Sequence, residues 1–251
     1  MINLLTNHRT VRQYSDKAIE PALLNRLLKA ACRASNTGNM QTYSFIVTQD
    51  EAMKAALAPC HFNQKMVTQA PVVLTVCADF NRFNKWCEQR KAVPGYDNFL
   101  SFTSGMIDAS LAAQNFCVAA ESEGLGICYL GTTTYTADKI IDILKLPRFV
   151  VPVTTITAGY PAELPAVQED RLPLSGIVHY ETYHDYSIDD IDQIYAEREN
   201  LESSKKYIAE NNKETLAQIF TDIRYTKANN EHFSSVLIEV LKKQGFFETK
   251  N

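Results

Sequence analysis

The 251-residue chain carries a formal net charge of −4 and is 45% hydrophobic. It can therefore bury a sizeable core and lacks the basic field of a general nucleic-acid binder. No run reaches the roughly 18 uninterrupted apolar residues of a membrane span; in 106–120, MIDASLAAQNFCVAA, Asp108, Gln114 and Asn115 break the pattern.

The start, MINLLTNHR, has a short apolar run and no small-residue cleavage site, so a cytoplasmic protein is expected. HRTVRQYS follows, with His8, Arg9 and Arg12 within five positions and Thr10 among them. Such donors together suit a phosphate group; a solvated N-terminal arm is the alternative. Residues 21–34, PALLNRLLKAACRA, place apolar side chains at helical spacing behind Pro21, which suits a first turn. SNTGNMQ breaks that helix, YSFIVTQ reads as a strand, and a short helix runs from Asp50 to Ala58.

VVLTVCAD (72–79) has the unbroken apolar look of a central buried strand. The longest helix is expected from Asn98 to about Glu123, spanning about 39 Å. It is apolar on nearly every face, which implies burial in a core or against a partner chain. GLGICYLG turns into another strand, a helix follows near 137–145, and VVPVTTITAGYP (150–161) is a further strand. Beyond Pro173, HYETYHDYS is aromatic, polar and without a period, and 189–245 reads as highly charged helix. The alternation predicts an α+β fold, an α/β sandwich with helices on both faces of a sheet.

The six cysteines show no C-x-x-C and no zinc-ligand spacing, so no metal site is expected and reduced thiols filling a core are the better account. Cys60 beside His61 is the one adjacent pair, open to a metal or nucleophile reading. Motifs for a dinucleotide-binding glycine turn, a P-loop, a nucleophile elbow and a zinc-binding H-E-x-x-H are all missing. The hard chemistry, if any, then belongs to an organic cofactor.

HRTVRQY (8–14), SNTGNMQTYSFI (35–46), NQK (63–65), VCADFNR (76–82), AAQNFCVAAESEGLGICYLG (112–131), LKLPRFVVP (144–152) and AGYPAELPAVQEDRLP (158–173) occur in order. Together they resemble the flavin-dependent nitroreductase family, within it the NADPH-dependent, oxygen-insensitive nitroreductase and flavin-reductase subgroup. The resemblance implies a central, mostly antiparallel sheet flanked by helices. It also implies an FMN-binding core over 1–175 and an extended, helical C-terminal excursion over 176–251 that wraps the core or the dimer partner. The expected protein is a homodimer with FMN at the subunit interface and NAD(P)H as co-substrate.

By the same resemblance His8, Arg9 and Thr10 hold the FMN phosphate, completed by Arg171. Arg12 places a cation at the flavin's pyrimidine edge, where charge develops on reduction. Asn36, Thr37, Gly38 and Asn39 match the small polar loop approaching the ring, from the same or the partner chain. Gln64 matches a hydrogen-bonding residue at the pyrimidine edge, and Leu130, Gly131 and Thr132 match the turn that offers backbone to the flavin face. Ordinary turn chemistry is the alternative for Gln64 and the 36–39 loop, and a surface loop for Arg171. Arg198 falls near an arginine that reads the 2′-phosphate of NADPH; ion pairing with Glu197 or Glu199 is the alternative.

Three positions depart from the family pattern. Thr132 stands where a second glycine is usual, so its Cβ is expected to crowd the flavin or nicotinamide; Glu169 stands where a lysine is usual, and Thr133 and Thr134 lie where an arginine is expected. The implied activity is hydride transfer from NAD(P)H through the flavin to nitroaromatic, quinone or flavin acceptors, with no catalytic side chain. A non-catalytic flavin-binding protein, for storage or sensing, is the alternative.

Overall fold

Strand β2 (Val72–Asp79) organises the architecture, because every one of its residues is buried. β1 (Tyr43–Thr48), β3 (Gly126–Leu130) and β4 (Val150–Gly159) complete a four-stranded sheet in the order β1-β2-β4-β3, antiparallel throughout. The computed structural model describes residues 1–247. The expected α+β sandwich is what forms, and its strands follow the runs of β-branched residues read from the sequence.

Side chains alternate across the sheet. Val72, Leu74, Val76, Ile127 and Ile156 face one layer, packed against Leu24 and Leu27 of the helix Pro21–Ala31 and against Ala109, Ala112, Ala113 and Phe116 of the long helix. Val73, Cys128 and Leu130 face the other layer, with Val11, Tyr14, Leu57, Val67 and Ile140. Period-two alternation lets each strand serve both layers.

The long helix runs Phe99–Ser122, capped by Asn98, whose side chain accepts from the Ser101 amide. Alanines on its inner side let it lie close to the sheet. On its outer side Leu100, Ile107 and Leu111 form an exposed stripe at helical spacing. Two further helices, Ile2–Thr6 and Asn81–Gln89, are not announced by the sequence pattern. Asn81–Gln89 has a polar sequence because it buries only Asn84 and Cys87.

Contacts divide the chain into two compact units, Met1–Val167 with the stretch from Phe233 onward, and Gln168–His232. Within the unit Gln168–His232 the helix Ile188–Asn200 starts on a reciprocal cap between Ser187 and Asp190. Helix Glu202–Glu210 and a turn at Leu216–Gln218 follow. Among the described residues no helix is long and apolar enough to cross a membrane.

Glycines place the N-terminal segment. Gly126 and Gly159 face each other across β3 and β4. A Cβ at Gly126 would fall 2.5 Å from Val11 Cβ, and one at Gly159 would fall 2.5 Å from Pro71 Cδ and 2.9 Å from Tyr14 Cδ1. Close approach, not backbone conformation, requires both glycines. Gly126→Ala is expected to destabilise the protein by about 1–3 kcal/mol through overpacking. Denaturant unfolding measures it, and an unchanged midpoint would contradict this packing.

His61 is a polar group inside the layer of Val11 and Tyr14, fully buried, its Nδ1 2.8 Å from Thr132 Oγ1. Burial pulls its pKa down from 6.5 to about 4. Between those values the unfolded chain binds the extra proton, so stability rises with pH. The contribution is complete above pH 6.5 and is lost as pH falls toward 4. Unfolding free energy is expected to drop by about 2 kcal/mol from this site between pH 6.5 and 4.5. His61→Asn should flatten the profile by that amount; identical slopes for both proteins would rule the effect out.

Candidate functional site

The basic segment is stitched to the ends of β3 and β4. The Val11 amide donates to the Ile127 carbonyl at 2.9 Å, Ala162 N to Gln13 O at 3.1 Å, and Ser15 N to Tyr160 O at 2.9 Å. The buried Tyr14 hydroxyl lies 2.9 Å from Val11 O and 2.8 Å from Thr157 Oγ1. Burial pushes its pKa above the ordinary tyrosine range, so it stays a neutral peg. With Val11 and Tyr14 turned inward, Arg12 between them is turned outward.

Arg12 and Gln64 line one cavity of about 610 Å³, together with Gln13, Asp16, Lys65 and Gln69. Gln64 arrives there through two consecutive left-handed residues, Phe62 and Asn63 at φ 55° and 54°. That reversal sends His61 inward and Gln64 to the cavity wall.

His8 and Arg9 are not on this wall. His8 Nδ1 sits 2.5 Å from Glu121 Oε1 of the long helix, and Arg9 Nη1 donates to Pro165 O at 2.6 Å. Thr10 is half-buried. Arg171 belongs to the unit Gln168–His232, where its guanidinium donates to the Asp170 carbonyl at 2.8 Å. In the same unit Arg198 Nε is 2.6 Å from Asp170 Oδ2, so its carboxylate partner is neither Glu197 nor Glu199. Glu169 is exposed.

The 36–39 loop is anchored by a residue that the sequence pattern shows only as a break in an apolar run. Asp108 is 1% exposed inside the long helix. Its Oδ1 accepts from the Thr37 amide at 2.8 Å and the Thr37 hydroxyl at 3.0 Å, and its Oδ2 accepts from the Thr42 hydroxyl at 2.8 Å. A lone acid among alanines and phenylalanines was the available signal, since a buried carboxylate needs donors. Asn36 Oδ1 accepts from Gln41 N at 3.2 Å. Gly38 and Asn39 take φ near +55°, which suits both residue types. Thr37, Gly38 and Asn39 do not line the Arg12 cavity; all three residues are exposed, the Thr37 amide and hydroxyl reaching down to Asp108.

At the end of β3, Leu130 is buried and Gly131 is exposed, with open space where a Cβ would stand. Thr132 is expected from its residue type to crowd the flavin or nicotinamide. Its side chain instead lies inward, the residue only 8% exposed and its hydroxyl beside His61.

Cys60 is 1% exposed and burial raises its thiol pKa, which removes the metal and nucleophile readings of the Cys60–His61 pair. Cys60, Cys77, Cys87, Cys117 and Cys128 are buried thiols outside any disulfide, and Cys32 is an exposed one. Among the described residues no group of His, Cys, Asp or Glu is arranged to hold a metal ion.

A protein from Bacteroides fragilis, solved by crystallography, is 56% identical and superposes with a TM-score of 0.96, covering 98% of this chain and 100% of that one. The FMN reductase (NADPH) of Bacillus subtilis is 34% identical over 185 residues, 73% of this chain and 74% of that protein. The oxygen-insensitive NADPH nitroreductase of Salmonella typhimurium is 34% identical over 182 residues, 72% and 74% of the two chains. Residues 5–160 match the model of the nitroreductase family, and the chain belongs to that family.

Proposed function

We propose that the chain is an NAD(P)H-dependent, FMN-containing oxidoreductase that reduces nitroaromatic compounds, quinones or free flavins as a homodimer. The carrying observation is the meeting of Arg12 and Gln64 in one cavity of about 610 Å³. A guanidinium beside a carboxamide fits the pyrimidine edge of a flavin: the cation favours developing negative charge, and the amide both donates and accepts. When bound, FMN supplies the two-electron chemistry, between reduced nicotinamide and acceptor. The names of the B. subtilis and S. typhimurium relatives support the cofactor and the reductant.

The chain's own residues bind, orient and bias. His8, Arg9 and Thr10 are read as the phosphate side of the site. Arg9 gives one bond to Pro165, and a guanidinium has further donors for a phosphate. Glu121 on His8 Nδ1 fixes the ring's orientation. Gly131 offers unobstructed backbone, and the 36–39 loop approaches the ring from the partner copy. The open stripe of Leu100, Ile107 and Leu111 supports association of two copies. We read the buried, unbridged thiols as fitted to the reducing cytoplasm.

The purified protein is expected to be yellow and to bleach with NADH or NADPH; a colourless protein that refuses added FMN ends this reading. Arg12→Gln should slow flavin reduction about tenfold or more, read by stopped-flow absorbance with FMN saturating. Bound FMN without NAD(P)H oxidation in the presence of a quinone would favour the storage or sensing alternative. Because Asp170 already holds Arg198, Arg198→Ala should change reduction by NADH and by NADPH by the same factor. A loss confined to NADPH would make Arg198 a 2′-phosphate reader.

A further inference from the structure

The turn at Gly131–Thr132 is held from inside. Thr133 Oγ1 donates to Leu130 O at 2.9 Å and to Thr155 Oγ1 at 3.0 Å, and Thr136 Oγ1 donates to Cys60 O at 2.8 Å. Thr132 Oγ1 pairs with His61 Nδ1 at 2.8 Å. The hydroxyls of Thr132, Thr133 and Thr136 thus face the protein, while Gly131 faces solvent with nothing within 4 Å of a built Cβ.

His61 is an unusual choice for this place. The residue is 0% exposed, and its Nε2 meets no polar partner. A buried nitrogen left unpaired is unfavourable, and an apolar side chain would avoid the penalty. What an apolar side chain cannot supply is the bond at Nδ1. The Nδ1 contact with Thr132 is therefore what an imidazole offers here in return for its unpaired nitrogen.

That contact has a specific use. Thr132 carries a β-branched side chain with few staggered positions about its Cα–Cβ bond. The position observed directs its polar atom inward. We propose that His61 is a positioning residue: its Nδ1 bond fixes the Thr132 side chain inward and so keeps the Gly131 backbone clear for the flavin ring. The inference rests on the FMN reading above, and concerns a residue that does not itself touch the ring.

The test is FMN titration of apoprotein, followed by flavin fluorescence, in wild type and in variants at the two positions. Thr132→Val keeps shape and volume but removes the hydroxyl, and should raise the FMN dissociation constant about tenfold. Thr132→Ser retains the hydroxyl, and His61→Asn places an amide near the position of Nδ1; both should stay within about threefold of wild type. His61→Leu should match Thr132→Val, and the double variant should lose no more than either single one. The absorption band of bound FMN should shift in Thr132→Val and His61→Leu but not in Thr132→Ser or His61→Asn, a pattern that general loosening of the fold does not produce. If His61→Leu does not fold, the Val and Ser variants at 132 decide alone. Wild-type-like affinity in Thr132→Val, or additive losses in the double variant, overturns the proposal while leaving the FMN reading intact. A wild-type protein that takes up no FMN overturns both.

Discussion

The site depends on a close approach between backbones. Gly126 and Gly159, opposite each other in β3 and β4, leave a shallow gap in the sheet surface, and Val11 and Tyr14 settle into it. The Val11 amide then reaches the Ile127 carbonyl, and the segment is fixed at the sheet's end. Arg12 faces outward because Val11 and Tyr14 on either side of it face inward. A side chain at either glycine would lift the segment, and the guanidinium would move with it.

The exposed parts of the site are anchored by polar groups buried beneath them. Asp108 holds the loop at Thr37 and Thr42, Tyr14 holds the basic segment against Thr157, and His61 holds the turn at Thr132. In each case a buried atom that needs a partner finds it far along the chain rather than in its own element. Loss of such a bond exposes the full desolvation penalty, so the contact is more directional than apolar packing would be. Loops that must stay small and polar on their outer side thereby acquire a fixed shape.

Much of this fold was legible in the sequence. VVLTVCAD could be placed at the centre because eight residues without a strong break are too short for a helix core and too apolar for an edge. The long helix was legible from its alanines. NRFNKWCEQ was not, because it buries little and its helicity rests on packing at Asn84 and Cys87. Arg12 and Gln64 were singled out by the resemblance to the nitroreductase family, whereas the anchors were not. Asp108 and Thr37 are 71 residues apart, as are His61 and Thr132. Pairings at that distance depend on how the sheet brings the elements together, and no local pattern carries them. The crowding expected of Thr132 had the same origin: residue type indicated a Cβ, but only the fold shows which way it points.

The same anchors limit what the chain can contribute to chemistry. Tyr14 and Cys60 are pushed by burial toward their neutral, protonated forms, and His61 toward its neutral, unprotonated form. None of the three can exchange a proton readily near neutral pH, although all lie in the layer behind the site. The wall of the Arg12 cavity offers instead a permanent cation in Arg12 and a carboxamide in Gln64. Groups of that kind can orient a planar ligand and stabilise charge on it. The cavity is lined largely by polar and charged side chains, Arg12, Gln13, Asp16, Gln64, Lys65 and Gln69 among them, so what the packing presents to a ligand is hydrogen bonds and charge.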